Sequence, residues 1–261
     1  GLGDVYKRQV LQLKGKSTSG TVMELVYLYH SGFALLGEAF TLIFDYYEDS
    51  EAADSGVLHR ELLGRPGKFY VFSSHSHYDH FNEEVLTWRE KRSDIIYVFS
   101  KDILQQGFSA EKDAIYMEKG DSYHDDILDV HAFGSTDEGV SFLIETEGKR
   151  IFHAGDLNNW HWMDESDEAE WKGYERHFLT ELDNIYCNYK AVDLAMFPVD
   201  PRLGKEYMRG PLQFVEKIKT AIFVPMHFDE AYEQAAAFAS VAKSLVVRTL
   251  LLKKRGQREL I

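Results

Sequence analysis

The sequence lacks the residues on which several kinds of protein depend. Its only cysteine is Cys187, so these 261 residues can form neither an intrachain disulfide nor a zinc site built from thiolates. The longest apolar run, residues 245–252, is interrupted by Arg248 and is much shorter than the roughly 20 residues that span a bilayer. Any bound metal must therefore be held by histidine and carboxylate side chains.

Basic residues are outnumbered by acidic ones. There are 29 lysines and arginines against 43 aspartates and glutamates, which gives a formal net charge of −14. Because such a chain repels phosphates, we expect no nucleic-acid partner and no binding to anionic membranes. An apolar fraction of 44% is ample for a core. We therefore expect an acidic cytoplasmic protein, and the sequence leaves its oligomeric state open.

The first 22 residues differ from those that follow. They carry four basic side chains against one acidic one, and they contain no apolar segment of the kind found in secretion signals. Alternation typical of a strand begins at Met23. We predict that Met23 is the biological start, that residues 1–22 are a non-native or disordered extension, and that residues 23–261 form a single domain. A disordered arm native to the protein is the alternative.

The order of predicted elements indicates an α/β protein. Up to residue 154, short β-rich runs are separated by Gly, Asp and Ser turns, with one helix predicted at 82–91. A long helix is predicted at 165–190, after which strands and helices alternate, and a last strand is predicted at 249–261. Hairpins followed by βα units without a break favour one domain built in layers.

The most informative segment follows the predicted strand 68–73 and contains His75, His77, Asp79 and His80. In an extended chain His75 and His77 point the same way and could hold one cation. Asp79 and His80 lie where the chain should turn into a helix, and could face a second. Imidazole and carboxylate suit Zn²⁺, Mn²⁺ or Fe²⁺. An ordinary polar loop is the alternative, but four such side chains in six positions argue against it.

This His-x-His-x-Asp-His pattern after a strand resembles the hallmark of the metallo-β-lactamase superfamily. The resemblance covers most of the chain from Met23 and implies a four-layer αβ/βα sandwich. It also implies that Asp45 is structural and braces the metal loop, that Asp156 bridges two ions, and that His227 is the last histidine ligand. The implied metal ligands are His75, His77, Asp79, His80, Asp156 and His227, with Asp79 and Asp156 also catalytic.

One turn departs from the superfamily pattern. A histidine is usual in a Gly-His-Thr-like turn, whereas this chain has Gly134-Ser135-Thr136. A serine hydroxyl is a poor ligand for a divalent ion, so the site of His75 and His77 is expected to be weak or empty. His153 is a candidate replacement ligand, although three residues before Asp156 on an extended strand it should face the opposite side.

Three further residues are candidates for substrate binding. Trp160 and His161 follow Asp156 in a loop and could line a pocket, but the tryptophans flanking His161 could equally pack a helix onto the sheet. Arg202 leaves a strand through a proline-rich turn and could clamp a phosphate or carboxylate. The alternative for Arg202 is a surface ion pair with Asp200.

Together these residues predict a metal-dependent hydrolase in which metal-bound hydroxide attacks a small ester, lactone or phosphodiester. The cofactor is expected to be one or two Zn²⁺ ions, with Mn²⁺ and Fe²⁺ as alternatives, and the small-molecule substrate could be anionic. The turn around His30 resembles the branch of the superfamily that includes ascorbate-6-phosphate lactonase. The alternatives are a mononuclear iron oxidoreductase and a degenerate metal-binding protein without turnover.

Overall fold

The computed structural model describes residues 22–51 and 55–261. The extension expected at residues 1–22 lies outside the described residues, except for Val22. The ordered elements form two sheets that face each other.

The first sheet has seven strands in the order β14-β1-β2-β3-β4-β5-β6. They are β1 (Glu24–Tyr29), β2 (Gly32–Leu36), β3 (Phe40–Phe44), β4 (Lys68–Ser73), β5 (Ile95–Ser100), β6 (Ile115–Met117) and β14 (Arg258–Leu260). Strands β3 to β6 are parallel and the other pairings are antiparallel. The carboxyl ends of β3 and β4 therefore meet at one edge.

The second sheet has the order β13-β12-β11-β10-β9-β8-β7. Its strands are β7 (Ser122–His124), β8 (Asp129–Gly134), β9 (Val140–Thr146), β10 (Lys149–His153), β11 (Ala191–Pro198), β12 (Lys219–Met226) and β13 (Arg248–Thr249). Strands β10 to β13 are parallel, so β10, β11 and β12 also deliver their carboxyl ends to one edge.

Helices cover the outer face of each sheet. Short helices α1 (Val57–Arg60), α2 (Glu84–Thr87) and α3 (Lys101–Gln105) pack on the first sheet, and α4 (Glu168–Asn188), α5 (Arg209–Lys217) and α6 (Tyr232–Ala242) pack on the second. Between the sheets lies an apolar core in which the rings of Phe72 and Phe142 meet edge to face at 5.4 Å. A second core joins Val71 to Leu58 and Trp88 under the short helices. The predicted four-layer αβ/βα sandwich is confirmed.

Some element boundaries differ from the prediction. The long helix begins at Glu168 instead of 165, because the Asp167 carboxylate accepts the backbone N–H groups of Ala169 and Glu170 and so caps the helix. The helix predicted at 82–91 is one α-helical turn, Glu84–Thr87, followed by a 3₁₀ turn, Trp88–Glu90. The strand predicted at 249–261 is present only as β13 and β14. Within residues 22–51 and 55–261, no helix is both long and apolar enough to cross a membrane.

Candidate metal centre

Strand ends from both sheets bring the predicted ligands to one place. The segment with His75 and His80 follows β4, Asp156 follows β10, and His227 directly follows β12. Ligand sites of α/β sheets commonly lie at the carboxyl ends of parallel strands. The turn between β1 and β2 joins this edge, since the backbone oxygen of His30 accepts the N–H of His227 at 3.2 Å.

One group of donors surrounds the end of β12. One ligand atom from each of its four members lies within 4.8 Å of the others, and its three histidines are buried. The carboxylate Oδ2 of Asp79 lies 3.5 Å from Nε2 of His30, and the Asp79 side chain is 20% exposed. The inner group, as we call it, consists of His30, Asp79, His80 and His227.

A second group, the outer group, consists of His75, His77 and Asp156, again with ligand atoms within 4.8 Å of one another. Nε2 of His75 lies 3.0 Å from Nδ1 of His77 and 3.5 Å from Oδ2 of Asp156. The other carboxylate oxygen of Asp156 faces the inner group, 3.0 Å from Nε2 of His80 and 3.2 Å from Nε2 of His227. Asp156 thus presents one oxygen to each group.

Each histidine of the inner group has a carboxylate behind it. In all three the ring nitrogen Nδ1 meets a carboxylate oxygen, so Nδ1 carries a hydrogen and the inward-facing Nε2 is the nitrogen available to a metal. This arrangement orients metal-binding histidines in many proteins. The three contacts are His30 with Asp229 at 2.8 Å, His80 with Asp45 at 2.7 Å, and His227 with Asp200 at 2.9 Å.

Several inward-facing atoms have no hydrogen-bond partner. Nε2 of His30, Nε2 of His80 and Oδ1 of Asp156 are all buried and lack an acceptable hydrogen bond. The last two lie 3.0 Å apart, but their geometry is not that of a hydrogen bond. Buried polar atoms are rarely left in this state. A divalent cation would satisfy these atoms, so the residues present fit a metal ion.

The charges of the site depend strongly on one another. Burial opposes ionisation of Asp156, but the neighbouring His80 and His227 hold the pKa of its carboxyl well below the usual value. Burial likewise opposes protonation of His227, yet Asp156 and Asp200 raise its pKa to about 9. Burial lowers the pKa of His75 to about 4. Without a metal, protonated histidines balance Asp156, and a bound cation would replace those protons.

Backbone strain is concentrated around the inner group. His30, Asp45, His227 and Asp229 all have positive φ angles, of 53°, 39°, 64° and 49°. Residues other than glycine seldom adopt this left-handed conformation, and where they do, the strain tends to mark functional sites. In these costly conformations Asp229 meets His30, the His30 ring lies 4.2 Å from that of His227, and Asp45 meets His80.

Ser135 and His153, the candidate replacement ligands, belong to neither group. The Ser135 hydroxyl accepts the backbone N–H of Asp137 at 3.2 Å, which shapes its own turn. His153 is fully buried, and so is His161. Both ring nitrogens of each of these histidines are hydrogen-bonded to backbone, which favours a structural role for both. The backbone partners are Ser31 and Gly155 for His153, and Glu206 and Met163 for His161.

The other candidate substrate-binding residues, Trp160 and Arg202, border the inner group. The Trp160 ring lies 5.3 Å from that of His227, and its indole N–H donates to the backbone oxygen of Asp156 at 2.7 Å. Arg202 donates through Nε and Nη2 to Asp200, and its Nη2 also lies 3.2 Å from Nδ1 of His227. The Arg202 side chain nevertheless remains 56% exposed.

Sequence reasoning missed His30 as a possible ligand and Asp229 as its partner. His30 is a single histidine in a hairpin turn, and Asp229 lies two residues beyond His227. Neither has a local spacing signal, since 199 positions separate them along the chain. The only hint was the likeness of the His30 turn to one branch of the superfamily.

A sandwich of this kind, with histidines and carboxylates at one edge of both sheets, defines a class of metal-dependent hydrolases. The model of the β-lactamase superfamily domain matches residues 24–170, more than half of the chain. The chain therefore belongs to the metallo-β-lactamase superfamily, and the resemblance seen in the sequence is confirmed.

Individual relatives agree with this assignment. A metal-dependent hydrolase of the UPF0173 group from Symbiobacterium thermophilum is 26% identical over 233 residues, covering 84% of this chain and 91% of its own. Igni18, a metallo hydrolase from the archaeon Ignicoccus hospitalis, has a TM-score of 0.63 at 17% identity over 92% of this chain and 99% of its own. CmlA, a diiron β-hydroxylase from Streptomyces venezuelae, has a TM-score of 0.61 at 13% identity over 94% of this chain and 54% of its own. The two structural matches show the shared fold alone.

Proposed function

We propose that this protein is a hydrolase of small esters, lactones or phosphodiesters that binds divalent metal in both groups of donors. The observation that supports this most directly is the orientation of three inner histidines, each with a carboxylate on Nδ1 and with Nε2 facing inward. Asp156 would bind both ions. The other proposed metal ligands are His30, Asp79, His80 and His227 for one ion, and His75 and His77 for the second.

When bound, a divalent cation supplies Lewis acidity and lowers the pKa of coordinated water towards about 7. The chain's own contribution is to position the reactants and move a proton. Asp79 is the ligand-type carboxylate open to solvent, and we assign it the role of orienting water and accepting its proton. Asp156, which is almost fully buried, is the alternative acceptor. Zinc is our preferred metal, with manganese and iron as alternatives.

A groove of about 910 Å³ beside the site supports a small-molecule substrate. Its walls include His77 and Asp79 from the site and four aromatic side chains, Tyr47, Tyr78, Phe81 and Phe108. The described residues that line it include no lysine or arginine. We propose that the apolar part of the substrate lies here, and that any anionic part meets Arg202, which borders the inner group.

The test is to measure the metal content of the purified protein and its activity towards a panel of aryl esters, lactones and phosphodiesters. Bound zinc or manganese together with turnover of one class is expected. Asp156→Asn should lose both metal and activity, because it replaces one carboxylate oxygen with an amide NH2 and removes the negative charge that both groups share. Asp193→Asn is the matched control, since Asp193 lies at the opposite end of the parallel strands. A protein that neither contains nor gains metal would contradict the proposal.

The same measurements separate the alternatives. Bound iron with oxygen consumption and no hydrolysis would indicate an oxidoreductase. Metal at full occupancy without turnover of any substrate in the panel would indicate a metal-binding protein that is not an enzyme. Our proposal instead predicts hydrolysis that disappears on chelation and returns with added Zn²⁺ or Mn²⁺. Neither alternative predicts this result.

A further inference from the structure

The turn that departs from the superfamily pattern is pressed against the metal loop. Gly139 has a φ of +70°, and a Cβ atom placed there would lie 2.0 Å from the backbone oxygen of Ser74 and 2.6 Å from Cβ of His75. The next residue, Val140, donates its N–H to the same Ser74 oxygen at 2.9 Å. One end of the turn is therefore held directly against the outer group.

The other end of the turn is tied to the loop that contains Asp156. The Thr136 hydroxyl donates to the backbone oxygen of Asn158 at 2.6 Å and accepts the Asn158 N–H at 2.9 Å. The Ser135 hydroxyl accepts the N–H of Asp137 at 3.2 Å and closes the turn from inside. Asp137 is thus anchored on both sides, between the two segments that supply the outer group.

The Asp137 carboxylate faces the metal side of His77. Its Oδ2 lies 3.7 Å from Nδ1 of His77, the same ring nitrogen that lies 3.0 Å from Nε2 of His75. The adjacent Glu138 approaches the opposite ring nitrogen, with Oε2 3.9 Å from Nε2 of His77. The two neighbouring acids therefore lie on opposite sides of one imidazole, and Asp137 is the one beside the ring nitrogen that faces His75.

We propose that Asp137 is a metal ligand and supplies, from two residues further along the turn, the donor that Ser135 does not. This rests on the proposed function, in that the outer group must bind a metal. The outer site would then have two imidazoles from His75 and His77, and two carboxylates from Asp137 and Asp156. In the hard–soft sense, a ligand set with two carboxylates is harder than a set with three histidines. Such a set suits Mn²⁺ or Fe²⁺ better.

The charge around Asp137 agrees with this assignment. The Asp137 and Asp156 carboxylates lie close enough to interact electrostatically. Two carboxylates that approach each other are unfavourable without a cation between them. A divalent ion in the outer group would turn this repulsion into attraction to a shared charge.

The experiment compares the full-length protein with Asp137→Asn, Glu138→Gln and Asp137→His. Each is loaded with Mn²⁺ or Zn²⁺, the bound metal is counted by mass spectrometry, and affinities are measured by competition with a chelating dye. Loss of a residue that only orients a ligand costs 10- to 100-fold in affinity, so we expect Asp137→Asn to weaken the outer ion by more than about 100-fold. Glu138→Gln should retain both ions, and Asp137→His should retain both with the Zn²⁺/Mn²⁺ affinity ratio raised.

Unfolding in the presence of a chelator should be unchanged in all three variants, because the Asp137 and Glu138 side chains are 46% and 45% exposed, and this separates ligation from folding. Two bound ions in Asp137→Asn at wild-type affinity would overturn the role of Asp137 while leaving the proposed function intact. Loss of metal in Glu138→Gln as large as that in Asp137→Asn would also overturn it. A wild-type protein that binds no metal would instead overturn the proposed function itself.

Discussion

Oδ2 of Asp45 lies 2.7 Å from Nδ1 of His80, and neither side chain is accessible to solvent. The same carboxylate accepts the backbone N–H of Ser74 at 2.7 Å and the Ser74 hydroxyl at 2.6 Å. One buried aspartate at the end of β3 therefore holds both ends of the metal loop that follows β4. The orientation of His80 therefore depends on Asp45, which contacts Nδ1 of the ring and not the inward-facing Nε2.

Asp45→Asn should destabilise the protein even without metal. The amide keeps the shape and tolerates the positive φ of 39°, but it places a donor where the carboxylate accepts. Removing one partner of a buried ionic pair costs about 3–5 kcal/mol, and we expect a loss of that size in urea unfolding with a chelator present. Asp129→Asn is the control, since Asp129 pairs with His124 on the surface and should change stability by less than about 0.5 kcal/mol. Equal stabilities for the two variants would contradict a bracing role for Asp45.

Asp229→Asn should weaken metal binding through His30. Asp229 touches Nδ1 of His30 at 2.8 Å, so it keeps the hydrogen on Nδ1 and leaves the lone pair of Nε2 available to a metal. We expect the affinity of the inner ion to fall about 10- to 100-fold, measured by competition titration. Glu230→Gln is the neighbouring control, because Glu230 pairs with Arg255 at the surface. If Asp229→Asn binds metal as tightly as Glu230→Gln does, His30 is not a ligand.

Phe108→Ala and Tyr78→Ala should impair substrate binding without affecting the metals. Both rings line the groove, with 39% and 73% of their surfaces exposed. Partial burial of an aromatic ring against substrate contributes roughly 1 kcal/mol, which corresponds to about a fivefold rise in KM for an aryl ester at unchanged kcat. Tyr174→Ala removes a ring from α4 that is as exposed as Phe108, at 40%, and is the control. Unchanged KM in both groove variants would place the substrate elsewhere.

Gly139→Ala and Gly148→Ala form a matched pair. Their φ angles are +70° and +75°, but a Cβ at Gly148 has nothing within 4 Å, whereas at Gly139 it would meet Ser74 and His75. The alanine strain of about 1–2 kcal/mol is common to both. We expect Gly139→Ala to be clearly less stable in urea and to lose the outer ion, while Gly148→Ala retains both ions. Similar behaviour of the two variants would show that the turn is not pressed on the metal loop.

Much of the site could be predicted from the sequence because its signals are local. The spacing of His75 and His77 after an apolar strand is enough to indicate a shared ligand site, since side chains two apart on an extended chain share a face. Asp45, Asp156 and His227 were identified by resemblance, because each follows a strand in the expected order. The layered fold was predictable for the same reason, from the change of hairpins into βα units.

Other parts of the site depend on contacts between distant segments. Ser135 occupies the place of a ligand in the sequence, but the fold turns its hydroxyl inward to the backbone of Asp137 and presents the Asp137 carboxylate to His77. The order of these residues does not show whether Ser135 or Asp137 faces the site, because that depends on the contacts that hold Gly139 and Thr136.

The sequence by itself determined the chemistry available to this protein. With a single cysteine and more acidic than basic residues, it could offer a metal only imidazole and carboxylate, and it placed them at the ends of strands. The tertiary structure decided which donors face inward and which carboxylate stands behind each histidine. The physical reason is distance along the chain: His30 and Asp229 are 199 positions apart, and a hydrogen bond between them exists only once both sheets are packed.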